Sequence, residues 1–244
     1  MSTELIALLA VGIFAVAAMF SSVGHAGASG YIAVMSLLSL APAVIKPTAL
    51  ALNILVASIA TWQFVRAGHF SWPVFWPFAL LAVPFAFLGG YIELPTQAFK
   101  VIVGVVLLYS AARFAVPARA EKPATPAPLL PALTIGAGIG LLSGLTGTGG
   151  GIFLTPLLLL MGWARAKTAA ATSALFILLN STAGLLGNFS STKSLPGYIV
   201  PLLVAAALGG WIGSRLGSRH MTPVAIKQLL AAVLLVAGLK LLLT

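Results

Sequence analysis

The chain repeats one pattern of apolar segments twice, and this repeat constrains the fold more than any other feature. In each half a run of glycine and other small residues interrupts apolar sequence, at 21–30 and again at 143–151. A lysine follows each break at a similar distance, Lys46 and Lys167. A duplicated unit with a glycine-interrupted helix in each half is typical of secondary transporters, whose substrate sites lie where the two breaks meet.

Composition places these segments in a membrane. Of the 244 residues, 60% are hydrophobic and only 7% are charged, and the mean hydropathy is +1.12. Stretches of about 20 apolar residues recur, the length that crosses about 30 Å of hydrocarbon. The first stretch carries Glu4 where a signal peptide has a basic start. We therefore predict an all-α, polytopic, multi-pass protein of the bacterial cell (inner) membrane.

Each half contains five apolar segments. In the first half they are 4–23, 30–41, 46–66, 72–92 and 96–114; in the second they are 129–146, 151–163, 167–187, 196–216 and 223–243. The proline-rich, charged stretch 115–128 separates repeat 1–114 from repeat 129–244. Because arginine-rich loops face the cytoplasm, we predict a cytoplasmic linker and termini on the opposite side. An odd number of segments per half then makes the repeats inverted.

The second segment of each half is too short to cross the bilayer. A helix over 30–41 rises only about 18 Å, at 1.5 Å per residue. We expect either a helical hairpin that dips in and returns or a tight pair of tilted helices. In the hairpin arrangement, the glycine-broken tips meet near the membrane midplane.

Glycine at such tips suits an anion site. Irregular backbone at membrane depth is tolerated only where it is buried or lines a wet cavity. The free N–H groups that begin the short helices, near Gly30 and Gly151, carry partial positive charge and bind anions without a formal cation. By contrast, glycines at four-residue spacing predict close helix packing. These are Gly136, Gly140, Gly144, Gly209, Gly213 and Gly217.

The second break and the helix after it carry a recognisable motif. Residues 144–151 read Gly-Leu-Thr-Gly-Thr-Gly-Gly-Gly, Pro156 follows, and 170–174 read Ala-Ala-Thr-Ser-Ala. This motif resembles that of the TauE/SafE sulfite exporter family, and the chain matches the family in size and twofold layout. The resemblance implies a transporter of sulfur-containing anions such as sulfite, sulfonates or sulfoacetate, usually outward. The first-half copy departs from the pattern by carrying His25.

Polar residues inside apolar segments are costly in lipid and tend to face the interior. Asn53 and Asn180 must find partners across helices, whereas serine and threonine often bond their own helix. His25 is the one histidine outside a predicted loop. It is either a proton carrier or anion partner, or a neutral histidine bonded to backbone. Lys46 and Lys167 are interpreted as interface anchors rather than as residues that gather anions at the mouth.

Together with the family resemblance, these observations predict an exporter of a small sulfur-containing anion. We do not expect the chain to be an enzyme. We expect no cofactor, no metal and no nucleic acid; the partners are the anion and the lipid bilayer, while proton coupling and homo-oligomerisation stay open. A passive anion channel or a permease for another organic anion is the alternative. The residues expected to bind substrate are Ser22, Gly24, His25, Gly27, Ser29, Gly30, Asn53, Thr146, Gly147, Thr148, Gly149, Gly150, Gly151, Thr172 and Ser173.

Overall fold

The structure, a computed structural model, describes residues 3–22, 25–115, 124–191, 195–219 and 224–243. Over these ranges it is all-helical, as predicted, and seven helices are long and apolar enough to cross a membrane. The helices are α1 (Thr3–Ser22), α2 (Ala28–Leu37), α3 (Pro42–Arg66), α4 (Trp72–Tyr91), α5 (Thr96–Ala115), α6 (Leu129–Thr146), α7 (Gly151–Leu160), α8 (Ala166–Ser191), α9 (Ile199–Arg219) and α10 (Val224–Leu243).

Helix boundaries differ from the predicted segments by up to four residues, most at α2, α3, α7, α8 and α9. Helix α3 begins at Pro42, four residues before the predicted start, because proline is favoured in the first turn of a helix. Helices α2 and α7 end at Leu37 and Leu160, so each has ten residues. The end of α7 is closed by the bond from Trp163 N to Leu158 O at 2.8 Å.

Helices α1 and α2 form a hairpin. Gly30, at the start of α2, lies against Val16 on α1, and Gly12, further back on α1, lies against Val34. The two helices are therefore antiparallel. Since ten residues rise about 15 Å, α2 returns along only part of α1. Both predicted arrangements place the two helices antiparallel, and how deeply α2 enters the membrane stays a prediction.

The closest helix contacts join the two halves of the chain. Helix α6 packs on α4 and α9 packs on α1, through glycines that touch backbone of the facing helix. The contacting pairs are Gly136 with Phe78, Gly140 with Ala82, Gly144 with Ala86, Gly209 with Phe14 and Gly213 with Ala18. These contacts confirm the packing role predicted for the glycines, while the surroundings of Gly217 lie outside the described part of the chain.

Several other helix pairs follow the same exchange between halves. Helix α4 packs on α8 as α9 packs on α3, and α3 also contacts α8 while α5 contacts α10. Replacing every helix by its counterpart five helices away turns each of these pairs into another observed pair or into itself. The contact between α2 and α10 has no counterpart of similar extent between α7 and α5 in the described residues. The inverted direction of the second half and the cytoplasmic location of 115–128 stay predictions, and residues 116–123 of that linker lie outside the described ranges.

Lys46 ties α3 to the end of α4. Its side chain is buried, at 6% exposure. The ammonium donates to the carbonyl oxygens of Gly89, Gly90 and Ile92 at 3.2, 2.8 and 3.0 Å, which terminate α4 and carry its partial negative charge. The interface-anchor prediction is therefore wrong for Lys46, because the early start of α3 places it inside the helix bundle. Lys167 is exposed, as an anchor would be.

Candidate functional site

The two glycine-rich breaks meet at one pocket, called here the break pocket. It is lined by Phe20, His25, Ala26, Gly27, Ala28, Ser29, Asn53, Thr148, Ile152 and Ile177. Asn53 lies near the middle of α3 and Ile177 near the middle of α8, the two longest helices. The breaks therefore meet halfway along two helices long enough to cross the membrane, as the sequence predicted.

The first break is shaped by Gly27, which precedes α2 with φ of 102°. Glycine adopts this left-handed backbone without the steric penalty that other residues meet. Tyr31, one turn into α2, donates its hydroxyl to Ala26 O at 2.7 Å and packs its ring against Gly27. His25 N donates to Phe20 O at 3.0 Å and so closes the end of α1. These bonds fix the loop that carries His25 into the pocket wall.

The second break turns through three glycines with positive φ, of which Gly150, at 81°, precedes α7. Thr146 Oγ1 and Thr148 Oγ1 lie 3.0 Å apart and hydrogen-bond to each other across this turn. Gly149 lies directly against the amide of Asn53 and the hydroxyl of Ser181, where a Cβ atom would collide with both. The glycine run therefore brings the backbone of the second break close to the polar groups of α3 and α8.

The two buried asparagines behave differently. Asn53 makes the predicted contacts across helices, donating its amide to Thr148 O at 3.4 Å and to Ser181 Oγ at 3.3 Å. Asn180 instead donates to Phe176 O at 2.9 Å, one turn back on its own helix. The prediction for Asn180 is wrong because its side chain reaches the carbonyl oxygen four residues earlier, in the way serine and threonine do.

Of the predicted binding residues, five line the break pocket: His25, Gly27, Ser29, Asn53 and Thr148. Gly24 lies outside the described residues. The remaining predicted residues do not line the pocket: Ser22, Gly30, Thr146, Gly147, Gly149, Gly150, Gly151, Thr172 and Ser173.

Several of the residues outside the pocket have structural contacts of their own. Ser22 Oγ donates to Met19 O at 2.7 Å within α1. Ser173 Oγ accepts a hydrogen bond of 2.7 Å from Thr155 Oγ1, which links α8 to α7. Gly150 faces tightly packed side chains of α6 and α8. These contacts hold the helices that surround the pocket.

The apolar part of the pocket wall was not predicted. Phe20, Ile152 and Ile177 line the pocket beside the polar residues. In a chain that is apolar throughout, no periodicity separates a pocket-facing isoleucine from a lipid-facing one. The one available signal was proximity in sequence, since Phe20 and Ile152 immediately flank the two breaks.

Comparison with known proteins identifies the family. The sequence profile described as "Sulfite exporter TauE/SafE" matches residues 8–241. The chain belongs to this family. The resemblance seen in the second break is thereby confirmed over nearly the whole chain, and with the apolar helices it confirms a multi-pass membrane protein.

Two curated relatives are named as probable membrane transporters. The "Probable membrane transporter protein y4hK" of Sinorhizobium fredii is 44% identical over 248 residues, covering 99% of this chain and 100% of that protein. The "Probable membrane transporter protein YunE" of Bacillus subtilis is 33% identical over 107 residues, covering 42% of this chain and 37% of that protein. No solved structure matches the chain.

Proposed function

We propose that the chain exports a small sulfur-containing oxyanion, such as sulfite or a sulfonate, which binds in the break pocket. Its family and its apolar helices make the chain a membrane transporter; the substrate and its site are the proposed part. The observation that carries the proposal is the meeting of both glycine-rich breaks at one pocket that combines a helix N-terminus with buried polar side chains.

The electrostatics of the pocket favour an anion. The first backbone bond of α2 runs from Tyr31 N to Gly27 O, so the N–H groups of residues 28–30 precede the helical ladder. Ala28 and Ser29, which carry two of these groups, line the pocket. The helix dipole adds partial positive charge at this end. Among the described lining residues none is acidic, so no carboxylate opposes an anion there.

The size of the pocket favours a carrier over an open channel. Its free volume is about 10 Å³, which by this measure is the space of one water molecule. An oxyanion with three or four oxygen atoms is larger. Substrate binding therefore requires the helices around the pocket to separate, as expected of a transporter that opens alternately to the two sides.

The test is sulfite flux in proteoliposomes that contain the purified full-length chain. We expect flux that saturates with sulfite concentration and accelerates when sulfite is present on the opposite side. Flux that rises linearly and ignores the opposite side would identify a passive channel. Absence of any flux or binding with sulfite, methanesulfonate and other small sulfonates would contradict the proposed function.

A matched pair of threonine variants tests the location of the site. Thr148→Val removes the hydroxyl group of a residue that lines the pocket while keeping the size of the side chain, and we expect it to weaken sulfite binding. Thr134→Val removes an exposed hydroxyl that bonds its own helix at Leu130 O, and we expect unchanged binding. Equal affinities of both variants and the parent would place the site elsewhere.

A further inference from the structure

Asn53, a residue of the break pocket wall, has an unused hydrogen-bond acceptor. The residue is fully buried, and it lines the pocket from the middle of α3. Its NH₂ group donates to Thr148 O and Ser181 Oγ. Its Oδ1 atom has no hydrogen-bond partner among the described residues. A buried acceptor without a partner is unfavourable, so a hydrogen-bond donor brought by a substrate would be stabilised by Oδ1.

The orientation of the amide follows from chemistry. The oxygen and nitrogen of an asparagine are easily interchanged in a structure. Thr148 O, however, is a backbone carbonyl and can only accept a hydrogen bond. The NH₂ group must therefore face Thr148, and Oδ1 must face away from it. Reversing the amide would place two acceptors against each other and leave the NH₂ group without Thr148 O.

Two walls of the pocket therefore consist of residues with opposite hydrogen-bonding groups. Ala28 and Ser29, at the start of α2, carry N–H donors, and Asn53 on α3 carries the unpaired acceptor Oδ1. A fully deprotonated oxyanion has only acceptors, so it satisfies the α2 wall and leaves Oδ1 without a donor. An anion that also carries one O–H or N–H group satisfies both walls.

We propose that Oδ1 of Asn53 faces the bound substrate and thereby selects anions that carry a hydrogen-bond donor of their own, which for sulfite means the monoprotonated form. This inference rests on the proposed function and specifies its substrate further. A transported monoprotonated anion carries its proton with it across the membrane. Export then moves protons together with sulfur anions, and no carboxylate relay within the helices is needed.

The decisive comparison uses sulfamate and methanesulfonate. The two anions have the same charge and nearly the same shape, and they differ in an NH₂ group where methanesulfonate has a methyl group. Neither changes its protonation near neutral pH, so both affinities can be measured at one pH without a change in the charge of the anion. We expect the purified full-length chain to bind sulfamate about fivefold more tightly, the ratio that corresponds to one net hydrogen bond.

Two variants assign the preference to Asn53. In Asn53→Leu the acceptor is gone, and the two anions should bind with equal affinity. In the control Ser181→Ala, the amide keeps its bond to Thr148 O and its orientation, so the preference for sulfamate should persist. If Asn53→Leu does not fold, Asn53→Ala removes the same acceptor and replaces it in the comparison.

The outcomes separate this inference from the proposed function. Equal affinity of the parent protein for sulfamate and methanesulfonate, with sulfite bound, would mean that a water molecule satisfies Oδ1 and would overturn the inference alone. A preference for sulfamate that survives Asn53→Leu would assign the selectivity to another residue and overturn it as well. Failure to bind sulfite and both probes would overturn the proposed function, and this inference with it.

Discussion

Two glycines on α6, two residues apart, should respond in opposite ways to the same substitution. Gly140 is buried, and a Cβ atom there would collide with the backbone of Ala82 on α4. Gly138 is exposed, and a Cβ atom there would have no neighbour within 4 Å. We expect Gly140→Ala to destabilise the protein and Gly138→Ala to leave its stability unchanged or raised.

The magnitude follows from two terms. Replacing glycine by alanine inside a helix stabilises it by up to about 1 kcal/mol, and this gain applies at both positions. Overpacking costs about 1–3 kcal/mol, and here it applies only to Gly140, because the atom it meets is backbone and cannot rotate away. The difference between the two variants is therefore the overpacking cost alone, about 1–3 kcal/mol.

Thermal unfolding of the purified variants in the same detergent measures this difference. For a chain of this size 1 kcal/mol shifts the unfolding midpoint by about 2–4 °C, so the midpoints should differ by about 2–12 °C. One scan rate must be used throughout, because the midpoint depends on it when unfolding is irreversible. Equal midpoints, or a higher midpoint for Gly140→Ala, would refute the close contact between α4 and α6.

Three further predictions concern charge, proton dependence and orientation. Lys46→Met should lower the free energy of unfolding by about 1–3 kcal/mol, because three carbonyl oxygens at the end of α4 lose a charged donor. Lys167→Met, at an exposed site, should change it by less than about 0.5 kcal/mol. Equal unfolding midpoints of the two variants would contradict the capping role of Lys46. His25→Gln should flatten the pH dependence of sulfamate flux, since glutamine, unlike histidine, has no side-chain group that takes up a proton. A profile of unchanged shape would remove His25 from the mechanism. A cysteine placed by Ala124→Cys, in a chain without native cysteine, should react with an impermeant reagent only from the cytoplasmic side; labelling from outside intact cells would reverse the orientation.

The existence and order of the helices were predictable from sequence because glycine, proline and charge mark the ends of long apolar runs. For the packing of the helices, the sequence predicts that a close contact exists but not which helix is the partner. The spacing of Gly140 and Gly144 indicates a close contact, but nothing in the sequence of α6 names α4 as the partner. Such pairings depend on the shape of both surfaces, which an apolar composition leaves undefined.

The lining of the break pocket was predictable where polar residues interrupt apolar sequence. His25, Asn53 and Thr148 stand out for this reason, and all three line the break pocket. Lys46 was misplaced because its partners are backbone carbonyl oxygens of α4, and backbone groups have no signature in a sequence. The partner of Asn180 was predicted wrongly because an asparagine can donate either to its own helix or to a neighbouring helix, and the sequence does not show which.

The glycine contacts between α4 and α6, and between α1 and α9, determine which parts of the molecule can move as rigid bodies. Each of these pairs takes one helix from each half of the chain, so the halves are interleaved. A rocking motion of residues 1–114 against 129–244 would therefore pull apart the tightest contacts between the described helices. Moving units would instead be assembled from both halves. The same interleaving implies that the two halves, synthesised as separate polypeptides in one cell, would recognise each other and assemble without the covalent connection between them.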